Sequence, residues 1–301
     1  MPTAVALDQA VPDDDVAAFL AIRPRLFGVA YRMLGSAAEA DDVVQDAWLR
    51  WQRTDRSLVV NPAAFLTTAT TRLAINALTS ARARRETYVG PWFPEPVDTS
   101  ADPFLGAERA EALDLAVLTL MEKLSPAERA AYVLREAFGY SHREVADALE
   151  TSEANARQLA RRARLALAAD RPADRAAAPP ERRRELLEAF VAAAHEGRVA
   201  DLERLLARDV VMRNDGGGKV HAARKPVVGI EAVLAVLEHA FARWWPADAV
   251  AMEVADLNGA PAVRITDRAG AVVGVLWCDA DDALRTICTQ VNPDKLAHLT
   301  R

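Results

Sequence analysis

Residues 124–167 read LSPAERAAYVLREAFGYSHREVADALETSEANARQLARRARLAL, and this stretch decides the fold of the chain. Ser125 precedes a helix whose first turn holds Pro126 and Glu128, a Ser-x-x-Glu capping pattern with proline where its missing N–H does no harm. Gly139 ends that helix. Ser141 opens the next, with Glu144 again three residues on, and Val145, Ala148 and Leu149 give it one apolar face. Glu150, Thr151 and Ser152 make a turn. Glu153–Ala169 form the last helix, with Leu159, Ala163 and Ala166 directed inward and Asn155, Arg157, Gln158, Arg161, Arg162 and Arg164 spread over the other faces. This is a helix-turn-helix, whose second helix has the residues to enter a major groove. A plain three-helix core with a solvated Arg face would also be basic. Two adjacent capping boxes and the gathering of Asn, Arg and Gln at the start of the last helix favour nucleic-acid contact.

The 301 residues allow two or three domains with real cores. Half the chain is apolar, as expected of a soluble, globular protein. No run has the apolar length of a membrane span, and the opening MPTAVALDQAVPDDD is acidic where a secretory signal is basic and then apolar, so a cytoplasmic location is expected. Cys278 and Cys288 match no zinc spacing and read as small buried residues; the histidines at 142, 195, 221, 239 and 298 are scattered. Neither a metal nor a cofactor is expected. The net charge of −6 excludes a chain that coats nucleic acid with its whole surface, while permitting local basic patches and an acidic face for another partner.

From Val16 to Arg53 the pattern is helical, with a break at Gly35–Ser36. The second of these helices buries Val43, Val44, Ala47, Trp48 and Trp51 and turns Asp41, Asp42, Gln45 and Asp46 outward; acids at a helix start also suit its dipole, so spacing leaves their role open. Asn61–Pro62 opens a third helix with a Thr-rich middle and a basic end at Arg82, Arg84 and Arg85. Its polar face suits nucleic-acid backbone, and a solvated, dipole-matched helix end is the competing explanation. Residues 87–103 are a linker rich in proline, yet Trp92 and Phe93 are too apolar to be left in water and need a covering surface. An amphipathic helix over 104–124 leads into the helix-turn-helix. After a second linker at 170–180, helices at 181–196 and 199–206 and a further helix at 230–244 accompany strands at 210–214, 249–258, 260–267, 271–279 and 284–291. Turns fall at Asn258–Gly259, Asp267–Gly270 and Ala280–Asp282, giving an α+β cone with an internal cavity.

The two helical blocks resemble bacterial sigma factors of the extracytoplasmic-function group. DDVVQDAWLRWQR is similar to the helix with which those factors grip the clamp helices of core RNA polymerase, placing Asp42, Gln45, Asp46 and Trp48 at the matching positions. AFLTTATTRLAINAL resembles the helix that melts promoter DNA and reads the −10 element. It implies contacts to the extruded strand from Arg72 and Asn76, with Arg82, Arg84 and Arg85 beyond. The helix-turn-helix resembles the −35 reader, implying contacts from Asn155, Arg157, Gln158, Arg161 and Arg162, although Glu153-Ala154-Asn155-Ala156-Arg157 replaces the group's common Gly-Thr-Val-Lys opening. The last 120 or so residues resemble the SnoaL-like branch of the NTF2 fold. Three runs, WFPEP (Trp92, Phe93, Pro94), DGGGK (Asp215, Gly216, Gly217, Gly218, Lys219) and NPDKL (Asn292, Pro293, Asp294, Lys295), resemble signatures of the subgroup with such a domain fused at the C-terminus.

The resemblance therefore implies a multidomain protein: a polymerase- and −10-binding all-α domain at 1–90, a linker at 91–112, the −35-reading all-α domain at 113–170, a linker at 171–180 and the NTF2-like cone at 181–301. It implies promoter-specific initiation with core RNA polymerase and promoter DNA as partners, no membrane, control in cis without a separate anti-sigma factor, and a cone cavity as a candidate small-ligand site. Trp92–Pro96 is expected to dock on 215–219 or 292–296. Two rivals compete: a helix-turn-helix regulator fused to an isomerase or cyclase with Asp215 and His221 as acid and base, and a regulator independent of polymerase. The Gly216–Gly218 run reads as a tight loop or contact surface, which counts against the first, and the acidic face and the two DNA-reading elements count against the second.

Overall fold

The computed structural model describes residues 13–85, 87–99, 114–169 and 178–300, with the side chains of 13–15, 82–84 and 300 outside that description. The side chains of Arg82 and Arg84, and the 104–113 part of the expected lead-in helix, fall among the undescribed positions.

Three helices come first: α1 (Asp13–Leu34), α2 (Ala37–Gln52) and α3 (Pro62–Arg85). Ser36 caps α2 by accepting from Glu39 N at 3.2 Å. Gly35 supplies the left-handed turn before it at φ 68°. The Thr-rich middle of α3 is not the nucleic-acid-facing surface its polarity suggested. Thr67, Thr70 and Thr71 are buried, and Thr67 and Thr71 return their hydroxyls to Ala63 O and Thr67 O at 2.9 and 2.8 Å. Back-bonding of this kind lets a threonine enter a core without leaving its hydroxyl unpaired; in the second half of the helix Asn76, Thr79 and Ser80 are exposed.

The second helical block contains α4 (Leu115–Met121), α5 (Pro126–Tyr132) continuing into a wide π turn over Val133–Ala137, α6 (His142–Leu149) and α7 (Glu153–Ala169). Both expected capping boxes form, at Ser125/Glu128 and Ser141/Glu144. On α7 the inner stripe is Ala156, Leu159, Ala160, Ala163 and Leu167; Ala166, expected inside, is exposed because the stripe follows the i, i+3, i+4 rows from Ala156. The two blocks do not have separate cores. Phe19, Leu26, Leu34, Val44, Trp51, Leu66 and Leu78 form one apolar cluster with Leu118, Met121, Leu124, Ala163 and Leu167, and Val29 of α1 enters the smaller cluster beneath the helix-turn-helix.

The rest of the described chain is α8 (Pro180–His195), α9 (Val199–Leu205), β1 (Leu206–Asp215), β2 (Val227–Val228), α10 (Ile230–Arg243), β3 (Val250–Leu257), β4 (Ala260–Asp267), β5 (Val272–Ala280) and β6 (Leu284–Gln290). The sheet order is β2-β1-β6-β5-β4-β3, with β1 parallel to β6 and the other pairs antiparallel. Register shifts leave extra residues on β1, β5 (Val273) and β6 (Arg285), irregularities of the kind that bend a sheet into the expected α+β cone. Strand β2, absent from the sequence expectation, is too short to show a period. The concave face carries Met212, Ile265, Leu276, Cys278 and Ile287 against α8 and α10. The opposite face carries Trp277, Val275 and Cys288, and is covered by Phe93 of the linker and Leu115 of α4. Cys278 and Cys288 thus lie on opposite faces, both free and buried, and burial pushes both thiols up to about 12.

Candidate functional site: the linker grip and the helical faces

Asp215 ends β1 with no exposed surface, and a buried carboxylate is tolerable only when its oxygens are matched by donors. Its Oδ1 accepts from Tyr88 OH at 2.5 Å and from Gly217 N at 3.1 Å. Its Oδ2 accepts from Phe93 N at 2.8 Å, Lys295 Nζ at 2.8 Å and Gln290 Nε2 at 3.1 Å. Lys295 also donates to Phe93 O at 2.6 Å and lies over the rings of Trp92 and Tyr88, 4.2 and 4.7 Å from their centroids. Burial pushes its ammonium down to about 8, against the pull of Asp215. Burial, then the bond to Asp215, raises the Tyr88 phenol far above its usual range, so it remains a donor. Trp92 and Phe93 of the expected docking segment lie against Asp215 and Lys295 of the DGGGK and NPDKL runs, so the chain itself covers them.

Each conspicuous residue of those runs has a geometric part in this grip. A Cβ on Gly217 (φ 57°) would lie 2.3 Å from Asn292 Nδ2 and 2.8 Å from Tyr88 OH, and one on Gly218 would press on Val89 at 3.1 Å. Gly216 is similarly tight against Ala222 at 2.8 Å. Asn292 donates to Tyr88 OH at 2.9 Å, and its Oδ1 accepts from Asp294 N to cap the turn that starts at Pro293. Lys219 pairs with Asp294 across the two runs. Phe93 meets Trp277 edge-on at 5.0 Å, and Pro94 is buried.

The linker continues onto the first helical block. Glu95 accepts from Ala37 N through Oε2 at 2.7 Å, placing an anion at the N-terminus of α2, and its backbone joins Gly35 O at 2.8 Å and Tyr31 OH at 2.5 Å. Asn258, in the β3–β4 turn, donates to Tyr31 OH at 2.7 Å and exchanges bonds with Val97 at 2.8 and 2.9 Å. Tyr88, Tyr31, Gln290 and Asn258 were not foreseen as contacts, and Glu95 was expected on the cone instead of at α2; Asn258-Gly259 carried only a turn signal, since nothing local shows which surface a turn touches.

The expected nucleic-acid and polymerase residues occupy several environments. Asp42, Gln45 and Asp46 are exposed on α2, whereas Trp48 is half-buried with its ring 4.7 Å from that of Phe19. Asn155, Arg157, Gln158, Arg161 and Arg162 are exposed on α7; Arg157 pairs with Glu153 at 2.9 Å and Arg162 with Glu128 at 3.2 Å. Asn76 is exposed, but Arg72 on the same helix is engaged with the helix-turn-helix. It donates to Ala148 O and Asp147 O, each at 3.1 Å, and pairs with Glu150 at 2.8 Å. A cation at the C-terminus of α6 is thereby matched to that helix's dipole. Arg85, expected at the DNA-facing end, is turned inward instead: it stacks 3.4 Å from the Trp92 centroid, pairs with Glu122 and donates to Leu34 O at 2.6 Å.

Asp215 as a general acid or base is overturned by this geometry, because its oxygens are fully committed inside the protein. His221 is outside the grip, packed on Trp244 at 5.5 Å. Among the described residues no group of His, Cys, Asp and Glu could hold a metal ion, and no helix is long and apolar enough to cross a membrane.

An acidic helical face, a basic helix-turn-helix and an α+β cone clasping the linker define a multidomain transcription factor. The family models of Sigma-70 region 2 and Sigma-70 region 4 match residues 18–84 and 114–167. The chain is 40% identical over 248 residues to the ECF RNA polymerase sigma factor SigJ of Mycobacterium tuberculosis, covering 81% of this chain and 79% of that one. It is 31% identical to the probable ECF RNA polymerase sigma factor SigI of the same species, covering 82% of each. The crystal structure of M. tuberculosis SigJ superposes with a TM-score of 0.72 at 31% identity, over 94% of this chain and 98% of that one. The chain belongs to the extracytoplasmic-function RNA polymerase sigma factors. It is a transcription-initiation factor of core RNA polymerase and promoter DNA, not an enzyme.

Proposed function

We propose that the C-terminal cone controls this sigma factor in cis, by holding the linker so that the two helical blocks stay packed together and the −10 reader is unavailable. The observation that carries the proposal is the Asp215 cage: one buried carboxylate ties Tyr88 and Phe93 to Lys295 and Gln290 of the cone. Arg72 supports it, because a side chain assigned to the melted strand is spent on Asp147 O, Ala148 O and Glu150. Polymerase engages the exposed Asp42, Gln45 and Asp46, and Leu58 and Val60, 79% and 101% exposed in the free chain, offer it further apolar surface. Opening then releases Arg72 and Asn76 to the −10 strand, with Arg82, Arg84 and Arg85 following the backbone, while Asn155, Arg157, Gln158, Arg161 and Arg162 take the −35 groove. The fused domain takes the place of a separate anti-sigma factor.

Run-off transcription tests the gate, using core polymerase and a template selected for initiation by the wild-type holoenzyme. Trp92→Ala removes the ring between Arg85 and Lys295 and should raise output at limiting sigma factor, with melting curves confirming the fold. Output that is unchanged or lower rejects the gate.

A further inference from the structure

Helix α4 is seven residues long, and its two ends belong to different cores. Leu115, in its first turn, is buried with Phe93, Trp277 and Cys288 on the covered face of the cone's sheet. Leu118 and Met121, further along the helix, are buried in the core that the helical blocks share. Polar contacts follow the same division. At the N-terminal end Asp114 caps the helix, its Oδ1 accepting from Ala116 N at 2.9 Å, while its Oδ2 accepts from Arg183 Nη1 of α8 at 2.8 Å. The two side chains are 14% and 15% exposed. Arg183 is drawn in so far that its Nε has no hydrogen-bond partner, a cost that a solvated guanidinium avoids and that the pair with Asp114 offsets. At the other end Glu122 accepts from Arg85 of α3 and from Arg129 of α5, whose side chain is fully buried and whose Nε donates to Arg32 O of α1 at 3.0 Å.

We infer that the cone holds the helix-turn-helix directly through α4, by a latch at Arg183, Asp114 and Leu115 whose ion pair is separate from the linker grip. That pair shares no residue with the Asp215 cage. Leu118 and Met121 lie in one cluster with Ala163 and Leu167 of α7. The helix-turn-helix can therefore swing away from the cone only by withdrawing Asp114 and Leu115 or by breaking that cluster. On the free chain the cone thus sets where the DNA-reading helix lies relative to the first helical block. The latch stands whatever the linker does, because it is read from the placement of the helix-turn-helix, whereas the gate is read from transcription.

The experiment uses the full chain with thiols introduced at Arg143 of α6 and Glu238 of α10, both exposed, while Cys278 and Cys288 stay buried. Single-molecule energy transfer between fluorophores on these thiols gives the distance distribution between the helix-turn-helix and the cone. Arg183→Met keeps much of the stem and removes the charge; it should raise the population outside the wild-type peak by about fivefold. Leu115→Ala, which withdraws the apolar anchor, should raise it at least as far. Arg183→Lys keeps the charge and should match the wild type. Arg182→Met should match it too, because Arg182 pairs with Glu185 on its own helix at 2.8 Å. Melting curves establish that the variants fold. A wild-type distribution in Arg183→Met or in Leu115→Ala overturns the inference, as does equal broadening in Arg183→Lys or Arg182→Met.

Discussion

At the scale of single residues, the grip depends on side chains that fit because a neighbour has none. Gly217 sits at φ 57°, where any L side chain costs about 1–2 kcal/mol, and an added Cβ would also displace Asn292 and Tyr88. Gly270 has φ 85° and nothing within 4 Å, so it isolates the backbone cost. Gly217→Ala should lower the thermal midpoint by more than Gly270→Ala, and matching midpoints would mean the close approach to Asn292 contributes nothing. The glycine run in residues 216–218 was visible in the sequence as a tight loop or contact surface. Which atoms it had to clear was not, because Tyr88 and Asn292 are remote from it along the chain.

At the scale of elements, the turn at Asn292–Leu296 brings Lys295 beneath the linker, and its charge makes docking depend on pH. Its folded value of about 8 lies below the ordinary lysine value of 10.5, because burial outweighs the attraction of Asp215. From about pH 8 to 10.5 the unfolded chain holds a proton that the folded chain has shed, so this residue's contribution to stability rises with pH. Below pH 8 both states hold the proton and the cost of burying the ammonium is fully felt. Lys295→Met lacks this term. The stability of wild type minus that of Lys295→Met, from urea unfolding at pH 7.5 and 9.5, should increase with pH; a constant difference contradicts a depressed Lys295. The capping boxes that set α5 and α6, and the Asn258–Gly259 turn, were legible because each is a bond among residues a few positions apart. The Thr-rich face of α3 was misjudged for the complementary reason: polarity is local, whereas burial belongs to the neighbours.

At the scale of the molecule, the helical blocks share one core and are fastened again by Arg72 across 75 and 76 positions of sequence. Arg72 is partly exposed, so its bonds to α6 are worth about 1–2 kcal/mol after screening. Arg72→Ala should therefore populate open forms roughly tenfold more. With Cys278 and Cys288 buried, thiols introduced at the exposed positions Ser80 and Ala168 accept fluorophores selectively, and the distance distribution between them should broaden in the variant. An unchanged distribution would leave Arg72 without a part in closure. The sequence by itself determined the elements, the acidic face of α2, the basic helix-turn-helix and the cone, because periodicity, caps and turn residues are encoded within a few positions. It also marked Trp92 and Phe93 as needing cover. Only the tertiary structure decided what covers them, that Arg72 and Arg85 are spent inside the free protein, and that Asp215 is a clasp instead of an acid. Those outcomes depend on surfaces as much as 202 residues apart meeting in one register, and a surface awaiting a partner has the same local pattern as one facing water.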